Sequence, residues 1–130
     1  MGLFKRRKRR DDDVMDPEER SPQLGIKYKD LILLGQLVDR GVVLDQPRHV
    51  IHFSYFPSRD AAVAAGEELR PHGWRPDVRE PLPEHGGQWP LVCDRDDAVL
   101  EPAFVRESTD LFEAVAAKHG GEHDGWEAAV

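Results

Sequence analysis

The chain has 130 residues, 39 % hydrophobic and 33 % charged, with 18 Lys and Arg against 25 Asp and Glu for a formal net charge of −7. That length fits one domain, enough to bury roughly two-thirds of its unfolded surface in a single core, and no window reaches the ~18 apolar residues of a membrane span. An acidic run stands where a secretory signal would need its apolar segment, and the lone Cys93 can form no internal disulfide, so a cytoplasmic protein is expected.

The charge is unevenly placed. Residues 1–20 hold seven basic and six acidic side chains, which leaves eleven basic and nineteen acidic, or −8, for residues 21–130. A nucleic-acid-binding domain owes much of its affinity to neutralising phosphate with Lys and Arg. This one repels phosphate on average, so the folded domain is not expected to bind nucleic acid directly, and a basic protein partner suits it better.

MGLFKRRKRR and Asp11 to Asp13 open a stretch with almost no apolar content, and residues 1–23 read as a disordered charged tail. Its basic block could touch RNA or anionic lipid; the plainer reading is a solvated tail neutralised by its own acidic block. Arg6 breaks the myristoylation pattern that Gly2 begins. Residues 24–130 read as the folded domain.

Tyr28 to Arg40 is predicted helical, with Leu31, Leu34 and Val38 at spacings of three and four and Gly41 as its stop. Arg48 to Phe56 is the first strand, rich in β-branched and aromatic residues. Its alternation sets Ile51, Phe53 and Tyr55 against His52 and Ser54, and the apolar set is expected to face the helices. Ser58 is a good N-cap for a helix from Arg59 to Arg70. On that helix Ala62, Ala65, Gly66 and Leu69 form a face of small residues suited to lying close on a sheet, and Pro71 and Gly73 end it.

Trp74 to Glu80 is the second strand, and Pro76 within it argues for a sheet edge or a bulge. After a loop from Pro81 to Gly87, Gln88 to Asp94 forms the third; its ladder either starts at Leu91 or carries an irregularity at Pro90. Pro102 suits the first turn of a helix running to about His119, with Phe104, Ser108, Leu111 and Val115 as the expected inward stripe and Phe112 beside it. Gly120 caps it, and Glu122 to Ala128 is a short last strand. The order, a leading helix followed by β-α-β-β-α-β, predicts an α+β fold of the ferredoxin-like kind: a four-stranded antiparallel sheet with two helices on one face.

The chain offers little catalytic chemistry. No glycine-rich phosphate loop precedes a helix, and Gly120-Gly121 falls at a helix end. His119 and His123 have the spacing of a metal pair, but two glycines interrupt the helix between them. His49 and His52 point to opposite faces of a strand. Cys93 in an apolar strand reads as a core residue before it reads as a nucleophile. No metal, cofactor or catalytic residue is expected, and the protein is not read as an enzyme.

The C-terminus is the most specific stretch. His123-Asp124-Gly125-Trp126, following a helix that ends in Lys118-His119-Gly120-Gly121-Glu122, resembles the tyrosine-Asp-Gly-Trp ending of the RraB family, regulators of ribonuclease E activity, with His123 in place of the tyrosine. The resemblance runs over about residues 28–128, through Leu31 to Phe56 and Ala61 to Leu69 with Gly73. It implies a ferredoxin-like fold in a bacterial, cytoplasmic protein that inhibits a ribonuclease E-type enzyme by direct binding and so alters RNA decay. The well-known type of the family carries a long acidic C-terminal tail, whereas this chain stops at Val130. Gly125 within a strand points to a bulge or a close backbone approach, and Asp124 can bond local amides at such a kink. Asp124, Gly125 and Trp126 are thus candidates for closing the sheet or, with Trp126 exposed, for anchoring an interface. The alternative function, from the architecture alone, is a small-molecule-sensing or oligomerising module.

Overall fold

The structure, a computed structural model, describes residues 16–130; the basic block 5–10 and Asp11–Asp13 lie outside the described residues. Two compact units divide the chain, one ending at Val42 and the other spanning Val43–Val130.

In the first unit, residues 16–25 form turns stapled by short-range bonds. Ser21 N–H donates to the Ile26 carbonyl at 2.8 Å, Tyr28 N–H donates to that of Glu19 at 2.9 Å, and Arg20 bridges Lys27. Part of the stretch assigned to the charged tail, residues 16–23, thus has defined turns. Glu18 takes Lys27 and Lys29 at 2.7 Å each, and the two ammonium groups hold its carboxyl down to about 2. Helix α1 spans Tyr28–Asp39 and buries Asp30, Leu34 and Leu37. Gly41, at φ +86°, ends it, with the Gly41 and Val42 amides bonded back to Val38 and Leu37.

The second unit is a four-stranded antiparallel sheet with two helices. β1 (Arg48–Phe56), α2 (Arg59–Leu69), β2 (Arg75–Val78), β3 (Trp89–Ala98), α3 (Pro102–Lys118) and β4 (Glu122–Ala128) follow in that order. The sheet order is β2-β3-β1-β4, so β3 stands between β1 and β2. Ser58 Oγ caps α2 by accepting from Ala61 N–H at 3.1 Å. The small face of α2 is buried as expected, and Gly66 shows why: a Cβ there would sit 2.8 Å from that of Pro76 on β2.

Three expectations need correction. Inward on β1 are Val50, His52, Ser54 and Phe56, while Ile51, Phe53 and Tyr55 face the other way and are half-buried. Both faces of this strand carry apolar residues, so alternation could not choose between them. α3 is turned on its axis: it buries Val105, Ser108, Thr109, Phe112, Val115 and Ala116, and leaves Phe104 and Leu111 at the margin. The cause is Phe112, whose ring lies flat on His52 and sets the rotation of the helix. β3 is longer than predicted, continuing through the charged run Arg95-Asp96-Asp97 to Ala98, because ladder pairing with β1 and cross-strand ion pairs carry it.

Pro90 belongs to the β3 ladder, opposite Tyr55. Its carbonyl accepts from Arg79 N–H at 3.0 Å, on the β2 side. N–H and C=O of one strand residue point the same way, so the nitrogen without a hydrogen faces Arg79, just past the end of β2, and the pairing of β2 with β3 begins one residue further along, at Val78 and Leu91.

Candidate functional site

The Asp124-Gly125-Trp126 motif lies in β4. Along β1, Phe53 pairs with Gly125 and the next residue, Ser54, pairs with His123, so Asp124 is the extra residue of a β-bulge. Gly125 takes φ +133°, a value open to glycine and strained for other residues. Asp124 is exposed. Beyond the bulge Trp126 turns inward: it pairs with His52 in the ladder, lies beside Phe104, Val105 and Ser108 of α3 and is 9 % exposed.

Around it the sheet and α3 build one cluster of rings. His52 Nδ1 and His123 Nε2 are 2.9 Å apart. Phe112 stacks on His52 at 4.1 Å with 3° between planes, and Trp74 meets His52 edge-on at 4.9 Å and Phe112 at 5.0 Å. Trp126 approaches His52 at 6.3 Å, and Val50, Leu100, Phe104, Val105 and Ser108 complete that seam. Burial drives the His52 pKa well below the ordinary histidine value, and the nearby His123 adds to it, so His52 is neutral in the folded protein.

Arg95 carries the cluster outward. Its guanidinium lies 5.0 Å over Trp74 and 5.7 Å over Phe104, and is held by Asp97 at 2.7 Å and by the His72 carbonyl at 3.1 Å. Beside it opens a cleft of about 440 Å³ lined by His72, Trp74, Arg95, Phe104, Glu107, Ser108 and Leu111.

The other residues singled out in the sequence stand apart. His119 bonds Glu68, which Lys118 also pairs, and so ties the end of α3 to α2. His49 and Arg75 grip Asp94 at 2.8 and 2.9 Å, and together with Asp96 form a surface network. Arg75 first and His49 second hold the Asp94 carboxyl at about 2. Cys93 is fully buried opposite His52, and burial pushes its thiol up to about 12, so it holds its proton and is a poor nucleophile. Among the described residues no group of three His, Cys, Asp or Glu is placed to hold a metal ion.

Sequence reasoning missed the His52–His123 pair and the Arg95 stack on Trp74 and Phe104. The first joins residues 71 positions apart; its one visible trace is a histidine where the motif it resembles has a tyrosine.

The family model described as "Regulator of ribonuclease activity B" (RraB) matches residues 30–128. No curated protein matches the chain in sequence. The matched stretch takes in α1 from Asp30 on, the whole sheet, both covering helices and the bulged strand with its Asp-Gly-Trp. The chain belongs to the RraB family, the regulators of ribonuclease activity B.

Proposed function

We propose that this protein regulates a ribonuclease E-type endoribonuclease by binding it directly and lowering its activity, and so alters which RNAs decay. The family match over residues 30–128 carries this reading. Two further observations support it. The chain from residue 21 on holds nineteen acidic and eleven basic side chains, a balance that favours a basic protein surface over phosphate. Cys93, the residue weighed as a nucleophile, is buried and holds its proton.

In this reading residues 24–130 are the RraB-like domain, behind a charged tail over residues 1–23, in a bacterial cytoplasm. The strand order, with β3 between β1 and β2, supports a ferredoxin-like architecture. Asp124, Gly125 and Trp126 serve to seat β4 in the sheet; the inward Trp126 supports that over a partner contact. Co-purification with the ribonuclease and slower cleavage of an RNA substrate on addition of this protein are the expected results. No complex at micromolar concentration would sink the reading.

The cleft beside Trp74 and Phe104 favours a second reading, a module that senses a small molecule. A ligand bound only by the folded state raises its melting temperature, by about 2.7 kcal/mol of stability at a hundredfold excess over Kd. A metabolite panel that shifts the wild type and leaves Phe104→Ala unshifted would point to this cleft.

A further inference from the structure

Between His52 Nδ1 and His123 Nε2, 2.9 Å apart, one nitrogen donates and the other accepts. Two neutral rings satisfy this. So does a pair with one added proton, provided that the ring carrying two N–H groups still donates across the gap to the other. A proton on both rings places an N–H on each facing nitrogen, and the bond becomes a repulsion between two cations.

Among the described residues, the groups that pack directly on His52 are mostly uncharged. β3 presents the protonated Cys93 thiol opposite it, and β4 presents Trp126. α3 presents Ser108 and the Phe112 ring, with Glu113 half-buried and Asp110 exposed on the same helix. The segment before β2 presents Trp74, and beyond that ring is Arg95, itself a cation and paired with Asp97. Asp94, Glu122 and Glu127 alternate onto the opposite sheet face, and Asp124 is out at the bulge.

We propose that the His52–His123 pair is an acid-sensitive latch on β4: the second proton drives the rings apart and frees the strand carrying Asp124, Gly125 and Trp126 from β1. Phe112 loses its stacking surface on His52 in the same event, so the end of the sheet and α3 loosen together. The sign follows from linkage. His52 is depressed in the closed state and ordinary in the open one, so the open state binds more protons, and closure weakens as pH falls below about 6.5.

Amide hydrogen exchange on the full chain, corrected for the intrinsic pH dependence of exchange, reads the latch. Opening of β4 amides paired with β1 is expected to rise about tenfold between pH 7.5 and 5.5, the limit for one imidazole with an open-state pKa of about 6.5. In His52→Gln the opening is expected to be independent of pH over that interval. Equal protection at both pH values in the wild type overturns the proposal, as does an undiminished rise in His52→Gln. If that variant does not fold, the imidazole nitrogen resonances of the wild type decide. Titration of His52 and opening of β4 must share one midpoint, and separate midpoints overturn the latch.

Discussion

Gly121 is the residue with least room. A Cβ there would lie 2.4 Å from the Tyr55 carbonyl oxygen and 2.5 Å from the Phe56 ring, atoms of the central strand that cannot swing away. Space, and not a left-handed backbone, is what this glycine provides: it lets the turn after α3 run against β1 before β4 starts. Gly121→Ala is expected to cost about 2–4 kcal/mol in urea unfolding. A loss under about 0.5 kcal/mol would mean that β1 yields. The sequence marks Gly120-Gly121 as a helix stop and a turn, which is right for Gly120 at φ +74°, but the close approach at Gly121 has no local signature because its contacts belong to another strand. The same holds for His52: its partners sit on β4, α3 and ahead of β2, and pattern alone gives it to the polar face.

At the scale of elements, the sequence reads best where the signal is local. Ser58 as a cap, the small face of α2, Gly41 and Gly120 as stops, and Asp124-Gly125 as a kink all rest on chemistry within a few residues, and the structure has each of them. Ser58→Ala removes the acceptor for the Ala61 amide and is expected to lower stability by about 1 kcal/mol without moving the strands, as measured by thermal unfolding beside an amide spectrum. What fails is orientation. β1 carries Val50 and Phe56 beside His52 and Ser54 on one face and Ile51, Phe53 and Tyr55 on the other, so the face that reads as the more apolar is not the one that faces the helices. α3 offers two overlapping apolar stripes, and only the ring waiting beneath Phe112 selects between them. The cleft by Arg95 was equally illegible, since Trp74, Arg95 and Phe104 come from three separate segments.

For the whole molecule, the ionised groups divide the acid response into two windows. Glu18 and Asp94, each held at about 2 by its cationic partners, contribute stability that is complete above the ordinary carboxylate pKa near 4 and is lost as pH falls toward 2. His52 acts earlier, below about 6.5. Urea midpoints across pH 2–8 are expected to decline in two steps. Asp94→Asn should remove part of the lower step and cost about 1 kcal/mol or less at pH 7, because its partners are largely exposed. A single step that the substitution leaves unaltered would contradict this division.

The two ends of the sheet share a property that bears on how the protein behaves when concentrated. Unpaired strand borders invite neighbouring molecules to add on and template aggregation. Here one border, β2, is four residues long and includes Pro76, which has no N–H to offer. The other, β4, is broken in mid-course by the Asp124 bulge, so no long regular row of donors and acceptors faces outward. The Asp124 bulge thus leaves β4 a poorer template for the addition of another strand. Deleting Asp124 would straighten β4, and the first sign of that change should be turbidity at high concentration, ahead of any loss of fold.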